Sequence, residues 1–198
     1  MEILITSIIA FASTNIDDIF LLTLFFGNKK FKGKEIIAGQ FLGIRSLIAI
    51  SLIGSLVGLF IDPMYIGLLG FVPIYLGLKA LWAMMKNKGE EDRPEHPTTK
   101  QSKNNVLTVA GVTVANGGDN IGIYIPLFAT LSWVDKTFMV IVFLFMTFVW
   151  CLTAKYFTKH PYVAKSVDKY GHIVTPIVLV LLGIYIIYES GTFNLLVK

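Results

Sequence analysis

Six long runs of apolar residues constrain this sequence more than any other feature. They cover residues 3–27, 35–60, 64–85, 105–130, 137–157 and 172–190. A helix needs roughly 20 predominantly apolar residues to cross a bilayer, and each run meets this length. Helices are expected because a chain in hydrocarbon must satisfy its own backbone hydrogen bonds. The sequence therefore predicts an all-α integral membrane protein with six transmembrane helices.

The composition agrees with a membrane protein and excludes other classes. Charged residues make up 15% of the 198 residues, against roughly 25% in ordinary soluble domains. The net charge of +4 does not indicate nucleic-acid binding, because most basic residues lie in short loops between apolar runs. The single cysteine, Cys151, excludes a disulfide scaffold and a cysteine-rich zinc site. The N-terminal run lacks a signal-peptide pattern and is predicted to remain as a helix.

Lysine and arginine are distributed unevenly between alternate loops. The first loop holds four lysines, the long loop after residue 85 five basic residues, and the fifth loop with its helix ends four lysines. The second and fourth loops hold only Lys136. Because basic loops are retained in the cytoplasm, the sequence predicts that loops one, three and five are cytoplasmic and that both termini are extracellular.

The chain divides into two similar halves. Residues 1–85 and residues 105–198 each hold three apolar runs, and the polar linker at 86–104 cannot bury enough apolar surface to fold alone. Asn15-Ile-Asp-Asp18 in the first run corresponds to Asn116-Gly-Gly-Asp119 in the fourth, 101 positions later. Three helices per half predict two inverted three-helix repeats, a recurring transporter architecture. Chance similarity of apolar segments is the alternative.

Two groups of polar residues fall near the middle of the first and fourth runs. They are Asn15, Asp17, Asp18, Asn116, Asp119 and Asn120. A carboxylate at a helix centre costs roughly 2.5–3.5 kcal/mol on insertion scales, so three of them need a compensating partner. Carboxylate and amide oxygens bind hard and borderline divalent cations. We therefore predict a metal-ion site near the bilayer midplane, with a structural polar network between helices as the alternative.

Helical spacing places most of these side chains together. In each group, residues three or four positions apart share a helix face. Asp17 is the exception, since it lies about 200° from Asn15 around an unbroken helix. If the helix unwinds at this motif, Asp17 can join the site and freed carbonyls can add ligands. Gly117 and Gly118 make a similar interruption plausible in the fourth run.

Two further polar residues lie within the second run. Arg45 is deep enough to act as a counter-ion for Asp17 or Asp18; alternatively, its long side chain reaches the cytoplasmic surface. Gln40 lies closer to that surface and is predicted to line the vestibule of the site.

Several stretches resemble a known family over essentially the whole chain. They are the N-terminal Thr-Ser-Ile-Ile-Ala-Phe-Ala-Ser-Thr14-Asn15-Ile-Asp17-Asp18, Gly39-Gln40-Phe-Leu-Gly43, Pro73-Ile-Tyr-Leu-Gly77-Leu-Lys79 and Val-Ala-Asn116-Gly-Gly-Asp119-Asn120-Ile-Gly-Ile-Tyr-Ile-Pro126. Together they resemble the CadD-type cadmium resistance transporters of the LysE superfamily. The resemblance implies a bacterial plasma-membrane exporter of cadmium, and of related divalent ions such as zinc or manganese. It implies that the six Asn and Asp positions form the ion site, whereas Arg45 matches no family feature.

The predicted activity is secondary active efflux by proton antiport, in which protons and the cation compete for the same carboxylates. The sequence has no Gly-x-x-x-x-Gly-Lys-Ser/Thr loop, and neither a cofactor nor enzymatic activity is expected. The resemblance to the wider superfamily leaves export of a cationic amino acid as an alternative. Gly117-Gly118-Asp119 leaves an intramembrane aspartyl protease as a remote one.

Glycines such as Gly54 and Gly58 fit helix packing within one protomer or in a homodimer.

Overall fold

The structure, a computed structural model, describes residues 2–56, 65, 67–86, 104–160, 176–188 and 192. Within these ranges the chain is helical and contains no strand. The helices are α1 (Glu2–Thr14), α2 (Asp18–Gly27), α3 (Gly33–Ser55), α4 (Phe71–Lys86), α5 (Asn105–Asn116), α6 (Gly118–Thr130), α7 (Trp133–Phe157) and α8 (Pro176–Tyr188). A short 3-10 helix over Gly67–Gly70 precedes α4.

Helix length and composition confirm a multi-pass membrane protein. Three helices are long and apolar enough to cross a bilayer, namely Gly33–Ser55, Leu68–Met85 and Trp133–Phe157. The pair α1 and α2 makes a fourth candidate span that is bent by 61° at a short break. Helices α5 and α8 are apolar but shorter. The count of six transmembrane helices and the inverted repeat stay predictions.

The helix boundaries differ from the predicted runs for identifiable reasons. Helix α7 begins at Trp133 rather than near 137 because the Ser132 hydroxyl accepts a hydrogen bond from the Asp135 N–H at 3.2 Å and caps the helix. Helix α3 begins at Gly33 rather than near residue 35. Glu35 Oε2 accepts a hydrogen bond from the Lys32 N–H at 2.9 Å and caps this earlier start. The predicted first and fourth runs are each interrupted. Of the predicted linker at 86–104, residues 87–103 lie outside the described ranges.

Helices α3 and α5 approach each other closely because glycines lie at their contact. A Cβ atom on Gly39 would lie 2.6 Å from Val109 Cβ, and one on Gly43 would lie 2.6 Å from Thr113 Cβ. Real Cβ atoms do not come this close, so only glycine permits the observed separation. Small residues at helix contacts are the usual means of close packing in membranes.

The remaining helices pack around this pair. Helix α3 also contacts α6, and α7 contacts both α1 and α2. Gly70 and Gly183 bring the start of α4 against α8, since a Cβ on Gly70 would lie 2.7 Å from the Gly183 carbonyl oxygen. Gly54 packs against Ile125 of α6 within the same chain. Gly54 therefore packs within one protomer, which is one of the two predicted alternatives. Gly58 lies outside the described residues.

Three chain segments meet at one end of the helices. The Asn105 amide, at the start of α5, donates to the Lys30 carbonyl at 3.1 Å and to Glu35 Oε2 at 2.9 Å. Phe157, at the end of α7, packs in one apolar cluster with Ile36 of α3. The loop before α3, the start of α5 and the end of α7 therefore lie on the same side of the molecule.

Candidate metal site

The first membrane segment is broken at its Asn/Asp motif. Helix α1 ends at Thr14 and α2 begins at Asp18. In a continuous helix the Ile19 N–H would bond to the Asn15 carbonyl, but it donates to the Ile16 carbonyl at 3.3 Å instead. The break therefore frees backbone groups of the motif, as the unwound alternative for this helix predicts.

The freed carbonyls find partners from other helices. The indole nitrogen of Trp150, on α7, donates to the Asn15 carbonyl oxygen at 2.6 Å. With its amide rotated by half a turn, Asn120 donates from its nitrogen to the Thr14 carbonyl at 3.2 Å and to Asp119 Oδ1 at 3.0 Å. Non-helical backbone is tolerated at membrane depth only with such partners.

The second motif contains a shorter interruption at Gly117. Helix α5 ends at Asn116 and α6 begins at Gly118. The Gly117 N–H donates to the Val114 carbonyl at 3.2 Å, which closes α5 with a tighter turn. The Leu47 side chain of α3 occupies the space that a Cβ on Gly117 would need. The glycine thus lets α3 pack against the interruption.

The two motifs converge on a pair of carboxylates. The Asn116 Nδ2 atom donates to Asp17 Oδ2 at 3.0 Å and to Asp18 Oδ1 at 3.1 Å. The second oxygen of Asp18, Oδ2, accepts from Gln40 Nε2 at 2.8 Å. Asp18 is buried, and Asp17 and Asn116 are half-buried. Residues almost 100 positions apart therefore form one polar centre inside apolar surroundings.

A second polar group lies beside this centre around the Tyr124 hydroxyl. Tyr124 is fully buried, and its hydroxyl accepts from Asn15 Nδ2 at 2.9 Å and lies 2.9 Å from Thr14 Oγ1. In either orientation of its amide, the Asn120 side chain forms a hydrogen bond with this hydroxyl at 3.1 Å. Asn15 and Asn120 are therefore held by the same hydroxyl, one from each motif.

Asp119 lies at the edge of these contacts. Its Oδ1 atom accepts from the Asn120 backbone N–H at 2.9 Å, and the side chain is half-buried. Among the described residues, no three His, Cys, Asp or Glu side chains are placed to hold a metal ion together. A cation in this conformation would need the amide oxygens as well as the carboxylates, a ligand set that suits hard and borderline ions.

Arg45 and Gln40, both on α3, lie in different surroundings. Arg45 is exposed, and its guanidinium carbon lies 5.8 Å from the centre of the Phe41 ring. Its role as counter-ion to Asp17 or Asp18 stays a prediction. Gln40 is only 2% exposed and contacts Asp18 directly. It therefore belongs to the polar centre, and its place in the vestibule of the site stays a prediction.

Sequence reasoning missed three residues that organise the site. Thr113 and Tyr124 carry a usable signal, because they lie three positions before Asn116 and four after Asn120, on the faces of the motif residues. Trp150 carries none, since an indole in an apolar run is indistinguishable from one that faces lipid.

The six predicted site residues are all in or beside the polar centre. A family model described as cadmium resistance transporter matches residues 11–198 of the chain. This match covers both Asn/Asp motifs and nearly the full length. Comparison with curated proteins and with solved structures finds no match. The chain belongs to the cadmium resistance transporter family.

Proposed function

We propose that this protein exports divalent cadmium from the cytoplasm in exchange for protons. The proposed ligands are oxygens of Asn15, Asp17, Asp18, Asn116, Asp119 and Asn120. Family membership supports a transporter of metal ions rather than an enzyme. The observation that carries the proposal is the contact of Asn116 with both Asp17 and Asp18, because it joins the two motifs at one point inside the membrane protein.

The chemistry of the polar centre suits reversible ion binding. In this conformation amide N–H groups donate to the carboxylates of Asp17 and Asp18. A cation replaces these donors, and a rotated Asn amide offers its oxygen as a ligand. Protons compete for the same carboxylate oxygens, so binding of metal releases protons and weakens as the pH falls. Oxygen ligands hold cadmium weakly, which favours release on the far side.

The helix contacts support two inverted halves. Helix α3, in the first half, packs along both pieces of the interrupted segment in the second half, α5 and α6. Helix α7, in the second half, packs along both pieces of the broken segment in the first, α1 and α2. Each half thus packs one helix along both pieces of the interrupted segment of the other half, as is expected of two related halves. In our proposal these halves rock around the ion and expose it to either side in turn.

The distribution of charge supports the orientation. The loop before α3, the start of α5 and the end of α7 lie together and adjoin the three lysine-rich segments of the sequence. We propose that this end faces the cytoplasm of a bacterial cell, with both termini outside.

Transport by the purified protein in proteoliposomes tests the proposal. Cadmium flux is expected to collapse when the proton gradient is dissipated, and Asp119→Asn is expected to abolish it. Glu2→Gln is the matched control, since Glu2 is an exposed carboxylate at the start of α1. Flux that is indifferent to the gradient and to Asp119→Asn would refute the mechanism. Competition by lysine or arginine, with none by other divalent metals, would favour export of a cationic amino acid.

A further inference from the structure

Gln40 links the carboxylate centre to helix α5. Its Nε2 atom donates to Asp18 Oδ2 at 2.8 Å, and its Oε1 atom accepts from the Thr113 hydroxyl at 2.6 Å. Both Gln40 and Thr113 are buried, at 2% and 3% exposure. The short distance between α3 and α5, set by Gly43 against Thr113, places the hydroxyl within reach of the amide.

The present orientation of the Gln40 amide opposes a cation at Asp18. Its N–H group directs the positive end of the amide dipole at the Asp18 carboxylate. A cation bound to that carboxylate would be repelled by this N–H group at close range. An amide rotated by half a turn has almost the same shape but directs its oxygen to Asp18. An amide oxygen is a common ligand of hard divalent cations. Rotation therefore converts a repulsive group into a ligand without movement of the helix.

Thr113 supports the amide in both orientations. A hydroxyl has one hydrogen to donate and two lone pairs that accept. With the amide as it stands, the Thr113 hydroxyl donates to Gln40 Oε1. With the amide rotated, the hydroxyl accepts from Gln40 Nε2 and turns its own hydrogen to the Val109 carbonyl, which lies 3.1 Å away. Rotation removes the Gln40 donor from Asp18 Oδ2, but a cation between the two oxygens replaces it, so in the ion-bound state the rotation escapes the usual cost of an unsatisfied group.

We infer that Gln40 is an additional ligand of the transported cation and that Thr113 is the positioning residue that lets its amide turn. The inference rests on the proposed function, because it adds a ligand to the same site. It goes beyond the six Asn and Asp positions and gives Gln40 a role in ion affinity.

The binding of cadmium to detergent-solubilised variants tests this at one neutral pH by calorimetry. Gln40→Leu keeps the approximate size but removes the ligand, and its dissociation constant is expected to rise about tenfold or more, a change of about 1.4 kcal/mol. Gln40→Glu keeps an oxygen ligand and is expected to bind at least as tightly as the wild type. Thermal unfolding without metal checks that each variant is folded.

The Thr113 variants provide a matched pair. Thr113→Val removes both the donor and the acceptor, and is expected to weaken cadmium binding about tenfold. Thr113→Ser keeps the hydroxyl and is expected to bind cadmium with wild-type affinity. A purely structural role would change the unfolding temperature of the metal-free protein and leave affinity alone.

Three results overturn the inference, and a fourth overturns the proposed function as well. If Gln40→Leu binds cadmium as the wild type does, or if Gln40→Glu and Gln40→Leu lose affinity equally, Gln40 is not a ligand. If Gln40→Leu does not fold, equal affinities for Thr113→Val and Thr113→Ser decide against the rotation. Failure of the wild-type protein to bind cadmium would remove the proposed function as well.

Discussion

The Trp150 indole nitrogen lies 2.6 Å from the Asn15 carbonyl oxygen and ties α7 to the point where the first membrane segment breaks. Trp150 also packs edge-on against Phe11, with ring centres 5.4 Å apart. The aromatic body thus fixes the end of α1, while the N–H group satisfies the carbonyl that the break releases. One side chain from the second half of the chain stabilises the backbone of the Asn/Asp motif in the first.

Trp150→Phe is expected to destabilise the protein and reduce cadmium flux. The phenyl ring keeps much of the contact with Phe11 but leaves the Asn15 carbonyl without its donor, at a cost of about 1–3 kcal/mol. Thermal unfolding in detergent and flux in proteoliposomes measure the two effects. Trp133→Phe is the control, because Trp133 is 60% exposed at the start of α7. Equal behaviour of the two variants would show that the indole N–H is dispensable.

Tyr124→Phe is expected to weaken cadmium binding and lower the unfolding temperature. It removes the hydroxyl that holds Asn15 and Asn120 together and leaves buried amide groups short of a partner, at about 1–3 kcal/mol. Calorimetry and thermal unfolding provide the measurements. Tyr156→Phe removes a hydroxyl from a ring that is 57% exposed on α7 and should behave as the wild type. Unaltered binding by Tyr124→Phe would remove this hydroxyl from the site.

Gly43→Ala is expected to push α3 away from α5. The added Cβ would lie 2.6 Å from Thr113 Cβ, and overpacking of this kind costs about 1–3 kcal/mol. The unfolding temperature and the flux should both fall. Gly111→Ala is the control on the partner helix, since nothing lies within 4 Å of its Cβ position. A Gly43→Ala protein as stable and active as Gly111→Ala would contradict the tight contact.

Asn116→Ala is expected to raise the dissociation constant for cadmium about tenfold or more, because it removes both the amide that joins Asp17 to Asp18 and a proposed oxygen ligand. Asn28→Ala, in the exposed loop after α2, serves as the control. Binding of cadmium by Asn116→Ala with wild-type affinity would remove Asn116 from the ligand set and leave only its structural contact.

Much of the architecture follows from the sequence because it depends on local properties. The apolar runs predict the membrane helices, since the length and polarity of a segment decide whether it can cross hydrocarbon. The breaks at Asn15 and Gly117 coincide with the two motifs, as expected where polar residues and glycine interrupt an apolar helix. The two motifs also predict a shared polar centre, because isolated carboxylates in a membrane are too costly.

Only the tertiary structure decided which side chains complete that centre. Gln40 contacts Asp18, Tyr124 joins the two motifs and Trp150 satisfies the break, whereas Arg45 lies on the outer surface of α3. Each of these outcomes depends on the rotation and separation of helices that are distant in the chain. Helical periodicity assigns a residue to a face but does not say which neighbour that face meets, and glycines such as Gly43 set the separation through contacts with another helix.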